Sequence, residues 1–308
     1  MKYVRNTVLY QCLLVLTSLI WGIAFVAQST GGSAVGAWSF NGMRFILGGI
    51  CMVPVIKLLD HFGYAGQRTG TPEAKKELLK ASVICGIALF VASNLQQLGI
   101  STGSSAGKAG FLTTCYIVIV PLLGLFLHKK VNWNVWLAVV MALVGLYLLC
   151  IKGSFVLETS DILILLCALA YSVQILLIDY FAPRVDCVRM SCLQFLICGV
   201  LTLVPMVIVD IRPLGFSAWA AGFCTKEAII AMAFVVILST CVGYTLQIIG
   251  QSKVEPTISS LLMSLESVFS VLAGWLLLQE VLSVRELMGC AVLFLAVVVA
   301  QLPQKAKV

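Results

Sequence analysis

The chain has 308 residues, of which 61% are hydrophobic and only 11% are charged, and its mean hydropathy is +1.06. Soluble globular domains carry about 25% charged residues, so this composition excludes that class and indicates a polytopic membrane protein. The net charge of +7 does not predict nucleic-acid binding, because the basic residues fall in short segments between apolar stretches.

Ten apolar stretches are long enough to cross about 30 Å of hydrocarbon at about 1.5 Å of rise per residue. They are predicted as helices, because backbone polar groups in a bilayer must be hydrogen-bonded within their own segment. The first is predicted to be an uncleaved span, since its apolar run exceeds the roughly 7 to 15 residues of a signal peptide. The predicted spans are 8–28, 37–57, 80–99, 107–127, 133–151, 161–180, 190–209, 227–249, 257–278 and 284–302.

The distribution of basic residues predicts the orientation in the membrane. With the N-terminus inside, most of the 20 lysine and arginine residues fall in the inner segments. This asymmetry predicts a multi-pass protein of the cell (inner) membrane with both termini in the cytoplasm. The polar insert at 60–80 is predicted to be a solvated loop before the third helix.

No cofactor, metal site or catalytic centre is predicted. The 12 cysteines occur singly, without a CxxC pair or a Cys/His cluster, and are interpreted as small packing residues. The histidines, His61 and His128, lie at the edges of spans, and no nucleophile or paired carboxylate accompanies them inside. The sequence therefore does not predict an enzyme.

An internal repeat relates the two halves of the chain. "LQQLGIS" (95–101) matches "LQIIGQS" (246–252) at an offset of 151, and 118–131 lies over 268–281 at an offset of 150. Each half, 8–151 and 161–302, contains five predicted spans, and five is odd, so the second half is inverted. Inverted repeats with a site at their interface are typical of secondary transporters.

The repeat also indicates candidate cavity residues. Trp21 in span 1 corresponds to Tyr171 in span 6, and Glu266 in span 9 corresponds to Tyr116 in span 4. Polar side chains at these depths contact a substrate or cross-link helices, whereas aromatic ones could line the cavity but more often belong to the packed core. The predicted set is Trp21, Arg44, Asn94, Gln96, Tyr116, Tyr171, Gln174, Tyr244, Gln247 and Glu266.

Several segments resemble the EamA-type permeases of the drug/metabolite transporter superfamily. The resemblance rests on "LIWGIAFVAQ" (19–28), "FNGMRFILGG" (40–49), "GYTLQIIGQ" (243–251) and "LLMSLESVFSVLAGWLLLQEVLS" (261–283), and extends over about 9–302. It implies ten helices in two inverted five-helix repeats, a central cavity, and export of amino acids or related metabolites. The family's arginine of helix 2 falls on Arg44 and its carboxylate of helix 9 on Glu266. Ser267 stands where many relatives carry a proline that would kink the helix.

Glu266 allows two interpretations. An ionised side chain at bilayer depth costs at least about 2.5 to 3.5 kcal/mol, so it needs a proton, a partner or a wet cavity. It is either a cavity carboxylate that binds a proton or a substrate ammonium, or a structural partner of another helix. Arg44 is the predicted partner, unless its side chain snorkels to the outer interface. Lys108 is expected to be an interfacial anchor.

The sequence favours a secondary-active exporter of amino acids or related metabolites, working by alternating access, with protons as a candidate coupling ion. Two alternatives stay open. An antiporter of phosphorylated or nucleotide sugars would need several cations in the cavity, and only Arg44 and Lys108 qualify. A non-transporting membrane sensor or scaffold is disfavoured, because the sequence predicts no soluble output domain. The expected partners are a small-molecule substrate and the lipid bilayer but no nucleic acid, and the expected state is a monomer or weak homodimer.

Overall fold

The computed structural model describes residues 2–62, 70–104, 106–128, 131–150, 158–278, 283–300 and 302, and within these ranges it contains helices and no strand. The helices are α1 (Lys2–Val35), α2 (Ala37–His61), α3 (Pro72–Ser101), α4 (Ala106–Thr114), α5 (Tyr116–Phe126), α6 (Trp133–Cys150), α7 (Thr159–Phe181), α8 (Cys187–Pro205), α9 (Arg212–Leu214), α10 (Phe216–Gly222), α11 (Lys226–Phe234), α12 (Thr245–Gln251), α13 (Pro256–Met263), α14 (Glu266–Leu278) and α15 (Val284–Ala300).

These helices form ten spans within the described residues. Span 4 comprises α4 and α5, and span 9 comprises α13 and α14. Span 7 is α8 with a π-helical extension, Met206–Ile211, and span 8 is α11 and α12 joined by the π-helical segment Val235–Tyr244. The remaining long helices, α1, α2, α3, α6, α7 and α15, are spans 1, 2, 3, 5, 6 and 10. Because ten is even, the start of α1 and the end of α15 lie at one membrane face, here called the terminal face.

The lengths and compositions of the spans fit a bilayer. Eight of them, searched over the described residues, are long and apolar enough to cross a membrane. The other two, α6 and α15, have 18 and 17 residues, or about 27 and 26 Å of helix. The predicted all-α bundle of ten transmembrane helices is therefore confirmed.

The largest differences from the predicted spans are at two helix ends. The third span begins at Pro72, where the Thr71 side chain accepts a hydrogen bond from the Ala74 amide at 3.2 Å and caps the helix. The part of the predicted loop from 72 to 80 is therefore helical, while 63–69 lie outside the described residues. The first helix continues to Val35, because Gly36 at φ +89° lets the chain turn directly into α2.

Packing between spans 2 and 7 shows the relation between the halves. A Cβ added at Gly49 would meet Leu196 at 2.5 Å, and one added at Gly199 would meet Ile46 at 2.6 Å. Gly49 and Gly199 are 150 residues apart, and so are Ile46 and Leu196. Each contact is therefore the other with the two halves exchanged, which places a pseudo-two-fold axis between these spans.

A second exchanged pair of contacts involves the spans that flank this centre. Gly250 in span 8 packs against Leu14 in span 1, and Gly99 in span 3 packs against Ile164 in span 6. The glycines are 151 residues apart and the aliphatic residues 150. These exchanges confirm the inverted repeat, with five spans in each half.

Spans 4 and 9 are interrupted at equivalent positions. Helix α4 ends at Thr114 and α5 begins at Tyr116, while α13 ends at Met263 and α14 begins at Glu266. The break in span 9 precedes Ser267, so it forms without the proline of many relatives. Discontinuous helices at bilayer depth occur where the freed backbone lines a cavity.

Candidate functional site

A cavity lies between the two repeats at the level of these breaks. It contains about 420 Å³ of space not filled by atoms, part of which is open to solvent. The lining residues come from spans 1, 2, 3, 4, 6, 8 and 9. They are Trp21, Phe25, Gln28, Arg44, Gln96, Thr113, Tyr116, Tyr171, Ile175, Ser239, Tyr244, Gln247, Met263 and Glu266.

Most of the lining residues occur in pairs that are related by the internal repeat. Ten of the residues form five counterpart pairs separated by 150 or 151 positions, which places the cavity on the pseudo-two-fold axis. The other four, Gln28, Arg44, Ser239 and Tyr244, have no counterpart in the lining and make the cavity asymmetric. The pairs are Trp21 with Tyr171, Phe25 with Ile175, Gln96 with Gln247, Thr113 with Met263, and Tyr116 with Glu266.

Glu266 and Tyr116 meet across the axis. The Tyr116 hydroxyl donates a hydrogen bond to Oε1 of Glu266 at 3.1 Å. Each is the first residue of the helix that follows a break, so the two interrupted spans bring them together. Glu266 is 3% exposed, and no lysine or arginine among the described residues lies within 4.0 Å of its carboxylate. Its charge is therefore not balanced by a neighbouring cation.

Arg44 enters the cavity from span 2 and is held by neutral groups. Its Nε donates to Thr240 Oγ1 at 3.1 Å, Nη1 to Gln28 Oε1 at 3.0 Å, and Nη2 to Ser239 Oγ at 3.4 Å. The guanidinium also lies 4.9 Å from the centre of the Phe45 ring. A guanidinium has about five N–H donors, so these three bonds leave donors for a ligand.

The predicted pairing of Arg44 with Glu266 is wrong. Both residues line the cavity, yet they form no ion pair, because Glu266 turns to Tyr116 across the axis while Arg44 extends towards spans 1 and 8. Arg44 does not snorkel to the interface either, since it is only 3% exposed. The cavity thus presents an acid and a cation that are not neutralised by each other.

Aromatic side chains form one wall of the cavity. The hydroxyl groups of Tyr171 and Tyr244 lie 3.0 Å apart, and the indole of Trp21 packs on Tyr244 with ring centroids 4.7 Å apart. The Trp21 Nε1 donates to the Ser239 carbonyl at 3.1 Å. This carbonyl belongs to the π-helical segment of span 8, so the irregular backbone helps fix the wall.

Two predicted cavity residues lie elsewhere. Asn94 donates to Thr202 Oγ1 at 3.1 Å and accepts from Asn41 at 3.2 Å, so it joins spans 2, 3 and 7. It points about 200° around the helix from Gln96, which does line the cavity. Gln174 is buried about 100° from Ile175 on span 6, and neither of its amide atoms has a hydrogen-bond partner among the described residues.

The structure brings the other eight predicted residues together, and their part in binding or coupling stays a prediction. It also adds residues that were not in the predicted set. Phe25 and Gln28 follow Trp21 at helical spacing, so the pattern of span 1 contained this signal. Ser239 carried no such signal, because its role depends on the π-helical segment.

Lys108 lies outside the cavity lining. Its Nζ is 2.7 Å from an oxygen of Asp161, which is fully buried, so the pair joins spans 4 and 6. The expectation of a simple interfacial anchor is corrected accordingly. Within the described residues, no group of three or more His, Cys, Asp or Glu side chains is placed to hold a metal ion.

Comparisons with known proteins agree with this architecture. An uncharacterized transporter of Archaeoglobus fulgidus is 24% identical over 290 residues, covering 94% of this chain and 84% of the relative. The uncharacterized transporter YoaV of Bacillus subtilis is 21% identical over 285 residues, covering 90% and 91%. A solved structure, described only as the crystal structure of a protein, superposes with a TM-score of 0.71 at 19% identity over 95% of both chains, which shows the same fold.

The family assignment rests on both halves of the chain. The sequence model of the EamA-like transporter family matches residues 8–151 and again residues 159–301. Together with the names of the relatives, these matches identify a multi-pass membrane transporter. The chain belongs to the EamA-like transporter family.

Proposed function

We propose that this protein is a secondary-active exporter of amino acids and related small zwitterionic metabolites, working by alternating access with proton exchange. The observation that carries the proposal is the presence of Arg44 and Glu266 in one buried cavity without an ion pair between them. An isolated buried charge is costly, and a ligand that brings both opposite charges would balance the two at once.

An amino acid supplies these charges. Its carboxylate suits the remaining donors of the Arg44 guanidinium, since arginine binds planar carboxylates through parallel hydrogen bonds. Its ammonium group suits the Glu266 carboxylate, beside the Tyr116 hydroxyl. The aromatic wall of Trp21 and Tyr171 would receive an apolar or aromatic side chain.

The same carboxylate gives a route to proton coupling. A proton and a substrate ammonium compete for the Glu266 oxygens, so binding of one favours release of the other. Exchange of the two across the membrane is antiport, and an inward proton gradient would then drive export. The position of the cavity on an inverted-repeat axis supports alternating access. The inner-face excess of lysine and arginine supports cytoplasmic termini in the cell membrane.

The competing functions are less well supported. A phosphosugar or nucleotide-sugar antiporter needs several cations around the phosphates, and Arg44 is the single lysine or arginine in the described lining. A sensor or scaffold would use neither the cavity nor its charges. Reconstitution separates these options, because a scaffold gives no flux and a phosphosugar antiporter exchanges phosphate.

The direct test uses purified protein in liposomes with an imposed pH gradient. We expect a screen of amino acids to show flux that depends on the gradient, and expect Glu266→Gln to abolish this dependence while exchange of labelled for unlabelled substrate persists. Thr114→Val, a change beside the cavity that leaves the carboxylate intact, is the control. Gradient-driven flux that is unchanged in Glu266→Gln would contradict the proton role.

A further inference from the structure

The two glutamines of the cavity occupy equivalent positions but make different contacts. Gln96 in span 3 and Gln247 in span 8 both line the cavity, and they are 151 residues apart. The Nε2 of Gln96 donates a hydrogen bond to Thr113 Oγ1 at 3.2 Å. The Oε1 of Gln247 has no hydrogen-bond partner among the described residues, although the residue is only 1% exposed. The symmetry of the lining therefore does not extend to the hydrogen bonds of these amides.

Met263 accounts for this difference. It corresponds to Thr113 at an offset of 150, and both residues line the cavity. The pseudo-two-fold axis therefore predicts that Gln247 faces Met263, and the helices that carry these two residues, α12 and α13, are in contact. A thioether is only a weak acceptor and cannot donate a hydrogen bond. The second repeat thus lacks the hydroxyl group that engages the amide in the first.

The unbonded amide oxygen belongs to the part of the cavity that contains the acid. Met263 is the last residue of α13, and Glu266, three positions later, is the first residue of α14. The terminal torsion of a glutamine side chain is broad, so the Gln247 oxygen can turn towards a ligand at this place. Buried amide oxygens are normally hydrogen-bonded. A ligand that brings N–H donors to Glu266 would supply the missing partner.

Resting on the amino-acid binding proposed above, we propose that Gln247 is a specificity-determining residue that selects ammonium groups with at least two N–H donors. One N–H binds the Glu266 carboxylate, and a second binds the Gln247 Oε1. A primary ammonium has three such donors, whereas a tertiary one has a single donor and a quaternary one has none. The site therefore prefers primary and secondary amines, because a more highly methylated amine leaves a buried acceptor unpaired.

The test measures binding of phenylalanine and its N-methyl and N,N-dimethyl derivatives to purified protein by titration calorimetry. These ligands carry the same charges but three, two and one N–H donors. On native protein the second methyl group should weaken binding about tenfold more than the first, because only the dimethyl form leaves an acceptor unpaired. In Gln247→Met, which keeps the side-chain length, the two methyl groups should weaken binding about equally. A second step as large in Gln247→Met as in native protein would overturn the proposal.

Two further variants control for folding and for the loss of any buried amide. Gln247→Glu offers acceptor oxygens of the same reach and should retain the large second step, because its charge acts on all three ligands alike. Gln174→Met removes a buried amide that has no partner and lies outside the lining, so it should change the second step less than about twofold. Loss of the step in Gln247→Glu would also contradict the acceptor role.

A second ligand series separates this inference from the proposed function. Phenethylamine and its N-methyl and N,N-dimethyl derivatives lack the carboxylate but keep the same series of N–H donors. The same dependence on Gln247 in this series, without amino-acid flux in liposomes, would reject the exporter function and keep the specificity role. Amino-acid flux together with a second step that does not depend on Gln247 would reject the specificity role and keep the function. Absence of binding by both series would reject both.

Discussion

The two repeats build the same cavity wall from similar backbone and then place different charges on it. The first repeat supplies Arg44, and the equivalent position in the second repeat is the neutral Gln194. The second repeat supplies Glu266, and the equivalent position in the first is the neutral Tyr116. Each charge therefore has a neutral counterpart. The comparison teaches that the shared backbone places equivalent positions around the cavity, whereas the side chains differ, so that the cation and the acid stand at different positions, as the proposed zwitterionic substrate requires.

The largest effect is expected when this asymmetry is removed at Arg44. Arg44→Gln makes the two repeats alike at this position. It also removes the guanidinium that donates to the substrate carboxylate, so we expect the KM of an amino acid to rise about 30- to 100-fold. That corresponds to about 2 to 3 kcal/mol, typical of a lost charged hydrogen bond. Arg44→Lys should recover only part of the affinity, because an ammonium lacks the planar fork of donors that contacts Gln28 and Thr240 and still has parallel N–H groups for a carboxylate. If Arg44→Gln transports as well as native protein when substrate is supplied at the same membrane face, the proposed role of Arg44 is contradicted.

The next effect concerns packing at the axis, where the repeats should respond alike. Gly49→Ala would bring a Cβ to 2.5 Å from Leu196, and Gly199→Ala would bring one to 2.6 Å from Ile46. We expect each to lower the free energy of unfolding by about 1 to 3 kcal/mol, measured by thermal unfolding in detergent. Gly70→Ala, where nothing lies within 4 Å, is the control and should change it by less than about 0.5 kcal/mol. Strongly unequal losses at the two axial glycines would argue against symmetric packing.

A smaller effect is expected at the hydrogen bond across the axis. Tyr116→Phe keeps the ring and removes only the hydroxyl that donates to Glu266. Because the ammonium of the substrate can still reach the carboxylate, we expect transport to persist with a KM raised about five- to tenfold, close to 1 kcal/mol. Steady-state exchange at several substrate concentrations measures this change. Complete loss of exchange in a folded variant would mean that the phenol itself is indispensable.

The smallest effect on stability is expected at the exposed ion pair between Asp60 and Arg189, which joins spans 2 and 7 at the terminal face. Asp60→Asn breaks an exposed ion pair and should cost about 0.2 to 1 kcal/mol, whereas Asp210→Asn weakens two buried hydrogen bonds to a carboxylate and should cost about 1.5 to 3 kcal/mol. Chemical or thermal unfolding of both variants under one condition compares them. A larger loss of stability for Asp60→Asn than for Asp210→Asn would contradict this expectation for an exposed and a buried carboxylate.

The sequence was sufficient to predict the spans, the inverted repeat and eight residues of the cavity lining, because lipid forces the spans into long apolar helices and the repeat fixes their pairing. The sequence did not predict in which direction some polar side chains point, and this direction decides whether they line the cavity. Asn94 has the polarity of a lining residue, but its position on span 3 aims it at Thr202 rather than at the cavity.

The sequence also did not predict which side chains form hydrogen bonds or ion pairs with each other. Opposite charges in one bundle suggested that Arg44 and Glu266 pair, yet the breaks in spans 4 and 9 place Tyr116 beside Glu266 instead. The π-helical segment that presents the Ser239 carbonyl depends on tertiary packing and left no signal in the local pattern. Such irregular backbone is frequent at functional sites, where local rules are least reliable.

The most direct test of the central claim is a comparison of three ligands on native protein and on Arg44→Gln. The ligands are phenylalanine, its amide without the carboxylate, and 3-phenylpropionate without the ammonium group, each competing with labelled substrate exchange in liposomes. If Arg44 and Glu266 hold the two ends of a zwitterion, both truncated ligands should compete at least about tenfold more weakly on native protein. In Arg44→Gln, phenylalanine and its amide should become nearly equal. A carboxylate that contributes as much in Arg44→Gln as in native protein would contradict the account.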